Sequence, residues 1–239
     1  MSVQNFSSSR KDDETIRIEI LCNICRMMVN RGNMDIAKYC KDEYINEDTD
    51  FTDINHNLSA MVDDKKFIHQ FKDKSEKNIY IIKLDTSFED ERTSNDNFDG
   101  LKLVVSIIPQ KITDIKNSDI INDVLKSYPQ HKKIFVIDSI IDKALNTLLR
   151  EKNTEVFTKN DLMIDLMGYG AAPHRCKINK DISNTYFVNP NIPRIHENDA
   201  LARYYNAKVG DFLEIIGNTI TNGFERRYRR VIEPKNVFA

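Results

Sequence analysis

Nucleophiles, proton carriers and metal ligands are where chemistry would start in this chain. Cys22 and Cys25 form a C-x-x-C pair, the spacing used by tetrahedral zinc sites and redox dithiols. A structural zinc site takes four ligands, but no second pair follows, and Cys40 and Cys176 stand apart. The pair therefore reads as two thiols buried on a helix. The histidines at 56, 69, 131, 174 and 196 show neither H-x-x-x-H nor H-E-x-x-H spacing. His174 follows a proline in a loop and His196 precedes a short helix, so packing or surface positions are expected for both. G-x-S-x-G, P-loop and G-x-G-x-x-G motifs are absent, and seven glycines leave little material for a phosphate cradle.

Two charged groupings remain. Asp85 follows an apolar run and Asp99 precedes Lys102 of the next. Carboxylates and a lysine gathered at strand ends are what a magnesium-dependent nuclease needs, but the surrounding text is so acid-rich that solvated loop charge is the default reading. The run ERRYRR, Glu225 to Arg230, is the densest basic cluster. On a strand it would place Arg227 and Arg229 on one face and Arg226, Tyr228 and Arg230 on the other. Such a surface suits a phosphate or an acidic partner. It equally suits a solvated edge strand whose charges prevent aggregation, and both readings stay open.

The whole chain limits these options. Its 239 residues carry a net charge of −2 and a pI near 6.2, so no global positive field exists to hold a polyanion. Contact with DNA would have to be local or arranged by a partner. With 40% hydrophobic and 30% charged residues the chain reads as globular, and no apolar run approaches the roughly 20 residues of a membrane span. The polar start, residues 1–14, reads as a disordered tail of a non-secreted protein. Four cysteines fit a reducing compartment. Heavy use of Asn, Ile and Lys with 7 Gly and no Trp points to an AT-rich genome.

The elements that must position these residues fall into two groups. IRIEILCNICRMMVNRG puts Ile16, Ile20, Ile24, Met27 and Met28 on one helical face, with Gly32 as a stop. Residues 35–77 read as short helices and loops. Strands are expected at Ile79 to Leu84, Leu101 to Ile108 and Lys133 to Asp138, apolar on both faces as in a sheet covered on each side. Helical spacing follows the second strand at Ile120, Ile121, Val124 and Leu125, and the third at Ile140, Ile141, Ala144, Leu145 and Leu148. This predicts an α/β domain over 15–150, with Arg150 to Glu155 as a linker.

A small α+β domain is expected over 151–239. It begins with a helix-like FTKNDLMIDLMGYG bearing Leu162, Leu166 and Met167 in register. Asn198 or Asp199 caps a helix over Ala200 to Tyr205, and Asn206 suits its left-handed end. Val209-Gly210-Asp211 turns the chain into FLEII, and Asn222-Gly223 signals a hairpin returning through Arg226 to Ile232.

The sequence IPRI, then NDALARYYNAKVGDFLEII, then T-N-G before YRRV resembles the C-terminal signature of the small subunit shared by eukaryotic RNA polymerases I, II and III, which has an archaeal counterpart. The matching positions are Pro193, Arg194, Ile195, Asp199, Ala202, Arg203, Tyr204, Gly210, Ile215, Thr219, Thr221, Gly223, Tyr228, Arg229 and Val231. Departures are Ala200 for a proline, Asn206 for a glycine, Glu214 for a basic residue and Gly217-Asn218 for Arg-Pro. The resemblance runs over Asn191 to Ile232 and extends more loosely back to Thr154.

This resemblance implies a divergent, non-catalytic polymerase subunit, encoded by a large DNA virus or a fast-evolving eukaryote. Its C-terminal assembly domain would dock on the largest subunit. Its N-terminal half would form a jaw near downstream duplex DNA. Catalytic magnesium would reside in the large subunits and no cofactor in this chain. The chain would work in the virion and host cytoplasm if viral, in the nucleus if cellular. Interface or module-shaping roles are expected for Pro193, Arg194, Ile195, Asp199, Arg203, Tyr204, Gly210, Thr221, Gly223, Tyr228 and Arg229, with Asp199 as a candidate partner for Arg203 one helical turn on. A free-standing DNA-binding transcription factor and a metal-dependent nuclease are the alternatives.

Overall fold

In the computed structural model, residues 12–33, 71, 78–84, 102–168, 173, 175–179, 192–219 and 223–233 are described. Helix α1, Asp13–Asn30, begins where the Asp12 carboxylate accepts the Thr15 amide at 2.6 Å, and Asp13 and Glu14 in its first turn face the positive end of the helix dipole. It ends at Gly32, whose φ of 74° suits glycine at a helix C-terminus. The expected apolar face is present, but Leu21, Cys22, Asn23 and Cys25 are buried as well. A helix buried nearly all round lies inside the protein.

A four-stranded sheet holds one side of it. The strands β1 (Ile79–Lys83), β2 (Lys102–Ile112), β3 (Lys132–Ile140) and β4 (Thr154–Thr158) lie in that order. The first pair is antiparallel and the other two pairs are parallel. Alternation in β3 sends Ile134 and Val136 into the cluster that contains α1, and Phe135 and Ile137 into a second cluster. That second cluster is closed by Ile121 and Val124 of α2 (Asp119–Ser127) and by Ala144 and Leu148 of α3 (Asp142–Leu148). Burial on both faces is why these strands read as continuous apolar runs.

Four expectations are corrected. Strand β2 runs four residues past Ile108, through Pro109. This is possible because β1 pairs only as far as Ser106 and the register against β3 shifts between Ile108 and Lys111, and proline is tolerated at such irregularities. Ile140 completes β3 rather than opening a helix. The expected linker over Arg150 to Glu155 instead turns tightly at Asn153, φ 55°, into β4, with Thr154 opposite Lys133. Its charged residues 150–152 concealed the β-branched and aromatic TEVFT that follows. The helix-like segment beyond it shrinks to a single turn, α4 (Lys159–Leu162), with a reciprocal capping box between Thr158 and Asp161.

Lys133 enters β3 almost fully buried, 2% exposed. Its ammonium donates to the carbonyls of Tyr128, Pro129 and His131 at 3.1, 3.4 and 2.8 Å, closing the turn after α2. Replacing it by Met keeps the stem and strands those acceptors. Lys133→Met should therefore cost about 1–3 kcal/mol, the penalty for buried polar groups left unsatisfied. Urea denaturation checks this, and an unchanged midpoint would remove the ammonium from the account.

The second sheet is β5 (Arg175–Asn179), β7 (Phe212–Thr219), β8 (Gly223–Ile232) and β6 (Arg194–His196), in the order β5-β7-β8-β6. Its inner face supplies Cys176, Ile195, Leu213 and Val231 to the same cluster that holds α1 and the first sheet. Helix α1, the first sheet and the inner face of the second sheet thus belong to one buried cluster.

Candidate functional site: the C-terminal partner module

The turn-helix-strand stretch from Ile192 to Ile215 is strapped onto β8 before and after its helix. Pro193 accepts the Arg230 amide through its carbonyl at 2.9 Å, and Arg194–His196 pairs in parallel with Arg230–Ile232. The Asp199 carboxylate then accepts the Leu201 amide at 2.9 Å. Of the two candidate caps it is Asp199 that starts α5, Ala200–Tyr204. Asn206 leaves the helix at φ 51° and Gly210 turns at φ 98°, where side chains other than glycine are strained. The Gly210 amide donates to the Val231 carbonyl at 3.0 Å, and the Val231 amide to the Asp211 carbonyl at 2.9 Å. The hairpin pairs Thr219 with Gly223. Thr221 and Asn222 lie outside the described residues.

The expected site residues divide into an inward and an outward set. Ile195 is in the core. Arg203 turns away from Asp199, donating to the Val156 carbonyl at 3.0 Å and to the Asp161 carboxylate at 3.1 Å, with its guanidinium 5.1 Å from the centre of the Phe157 ring. The proposed pairing with Asp199 is thus replaced by a tie to β4 and α4, because the Asp199 carboxylate turns to the Leu201 amide instead. Tyr204 is buried, its hydroxyl accepting from the Asn30 amide group at 2.8 Å. Pro193, Arg194 and Arg229 are exposed and Tyr228 is half-buried against Phe212 and Ile192. The faces of the basic run fall as alternation predicts, since Arg227 and Arg229 oppose Ile215 and Leu213, while Arg226, Tyr228 and Arg230 oppose Ile216, Glu214 and Phe212.

One residue was not foreseen in its role. Arg31, legible in sequence only as part of a helix end, donates to both carboxylate oxygens of Glu155 at 2.8 Å. It also donates to the carbonyls of Tyr204 and Arg203 at 2.6 and 3.1 Å. It joins α1, β4 and α5 at one point. The signal in the sequence was an arginine at a helix C-terminus, and the partners on β4 and α5 lie more than 120 residues away.

These groups have little reactivity of their own. Among the described residues no three His, Cys, Asp or Glu side chains gather as a metal site. Asp85 and Asp99 of the nuclease alternative lie outside the described residues. Burial pushes the Cys176 thiol up to about 12 and raises Cys25 further still, with the neighbouring Cys22 adding to that shift. At pH 8 the Cys176 thiolate is then roughly one part in 10,000. Cys22, Cys25 and Cys176 should consequently resist iodoacetamide at pH 8 until the chain is unfolded, and rapid native labelling of any of them would contradict their burial.

Residues 179–231 match the family model described as RNA polymerase Rpb5, C-terminal domain. The match spans the end of β5, all of β6, α5 and β7, and nearly all of β8. The chain is also 27% identical over 169 residues, 68% of its length and 76% of the relative's, to a protein of Acanthamoeba polyphaga mimivirus named DNA-directed RNA polymerase subunit 5. Both similarities support a divergent, viral, Rpb5-like RNA polymerase subunit. The relative is named as a subunit of the polymerase, and its viral source accords with the viral origin expected from the resemblance together with the AT-rich usage. In this Rpb5-like chain the family signature consists largely of residues that make the module rigid: the cap at Asp199, the turn at Gly210, and the inward Arg203 and Tyr204.

Proposed function

We propose that this subunit docks through its C-terminal module on the largest subunit of a DNA-directed RNA polymerase, and that its N-terminal α/β half forms part of the jaw near downstream duplex DNA. The match of residues 179–231 carries this reading. The matched segment contains the module that is tied to β8 through Pro193, Glu197, Gly210 and Asp211, and a surface already ordered loses less entropy when an interface forms. RNA synthesis and its magnesium belong to the large subunits. The chain contributes position, in the virion and host cytoplasm where a viral polymerase works.

The test is affinity purification of the tagged chain from its native source, with mass spectrometry and an RNA-synthesis assay on the eluate. Two large polymerase subunits in comparable amounts, with activity, are expected. A chain that emerges alone would end the assembly reading, and salt-sensitive DNA binding or magnesium-dependent cleavage by the isolated protein would then be measured.

A further inference from the structure

The outer face of the second sheet carries a charge pattern that its own folding does not require. Strand registers place Arg175 and Lys177 of β5, Arg226 and Arg230 of β8 and Arg194 of β6 on this face, all exposed. The one carboxylate among the described residues there is Glu214, 3% exposed and already engaged by Lys177 at 3.4 Å and Arg226 at 3.1 Å. Among the described residues five cations thus face a single buried acid, in a chain whose net charge is −2. Among the described residues, Arg175, Arg194 and Arg230 have no carboxylate partner. Arg194 and Arg230 are direct cross-strand neighbours, a like-charge placement that opposes folding. The Arg230 guanidinium lies 5.9 Å from the centre of the Phe212 ring, an aromatic surface beside which a planar cation can rest.

We infer that this face binds an acidic, extended polypeptide segment of the partner subunit, whose carboxylates supply the missing counter-charge. The inference rests on the assembly proposed above and names the chemistry of the docked surface. Cation rows two residues apart repeat at about 6.7 Å, the spacing of alternate side chains in an extended peptide. Arginine beside Tyr228 and Phe212 is the composition of a protein interface. A long polyanion such as duplex DNA would meet the acidic remainder of the chain beyond this small patch.

Carbodiimide coupling, which joins an amine to a carboxylate in direct contact, reads the occupant of Lys177. In the isolated chain it should couple Lys177 to Glu214. In the purified polymerase it should couple Lys177 to an Asp or Glu of the largest subunit. Arg194→Gln/Arg230→Gln should lower recovery of the largest subunit by about tenfold, as loss of close interfacial charge pairs does. The same change should leave the thermal midpoint of the isolated chain equal or higher, because it removes a repulsion. Lys143→Glu on α3 serves as the control for a charge change elsewhere and should behave as wild type.

Coupling only to Glu214, or to residues of this chain, while the large subunits still co-purify would overturn the inference and leave the assembly reading standing. Undiminished recovery of the double variant with loss of DNA retention would overturn it too, reassigning the face to nucleic acid. Absence of the large subunits altogether would remove both.

Discussion

Arg31→Met should unfold at a much lower denaturant concentration than the parent chain, losing about 3–5 kcal/mol, the range for breaking a buried ion pair by removing one partner. The Arg31 and Glu155 side chains are only 6% and 15% exposed. Methionine reproduces much of the stem but leaves the Glu155 carboxylate buried without its two-pronged donor. The carbonyls of Tyr204 and Arg203 lose their donor too. For a chain of this length the loss lowers the thermal midpoint by about 2–4 °C per kcal/mol. The double variant Arg31→Met/Glu155→Leu removes both charges and should recover part of the stability, since a buried pair replaced by apolar groups is often neutral. If the single variant unfolds within about 1 kcal/mol of wild type, the pair is worth no more than an exposed one.

The position of Arg31 also shows what the sequence could and could not convey. Strands β1 to β3 and the helices after β2 and β3 were legible because their apolar runs and spacings are local. The cap at Asp199 and the turns at Asn206 and Gly210 were legible for the same reason, each being fixed by the backbone geometry that one residue type favours. Strand β4 was hidden behind Arg150 to Lys152, and its membership of the first sheet depends on pairing with β3, which no local pattern records. Arg203 and Tyr204 illustrate the same limit. Their presence in the signature pointed to importance, while their direction, toward Asp161 and Asn30, is set by elements distant in sequence. The outer basic face was half legible, since alternation sorted Arg226 and Arg230 from Arg227 and Arg229. Its continuation into Arg175, Lys177 and Arg194 required the strand order. That order also bears on the edge-strand alternative. Among the described residues strand β8 is paired on both sides at Arg230, so Arg230 is not at an open edge, whereas the charges from Glu225 to Arg229 keep that role.

Ile24→Ala should weaken both sheets together, by about 2–5 kcal/mol for truncating a fully buried isoleucine. Ile24 is 0% exposed and sits in the cluster shared by Leu103, Val105, Val136, Leu213 and Val231. If α1 is the common core of both sheets, a cavity beside it lowers the stability of the N-terminal and C-terminal halves by the same amount. Native-state hydrogen exchange reads this directly. The slowest amides of β2 and β7 should speed up by similar factors, and heating should give one transition. Phe135→Ala provides the contrast, since Phe135 faces the other cluster, beneath α2 and α3. Faster exchange in β2 but not in β7 after Ile24→Ala would mean that the halves fold independently and that α1 belongs to the first sheet alone. The module proposed to dock would then have to hold its shape without the Asn30 and Arg31 ties, and coupled loss of stability is the result that makes those ties part of the docking surface's rigidity.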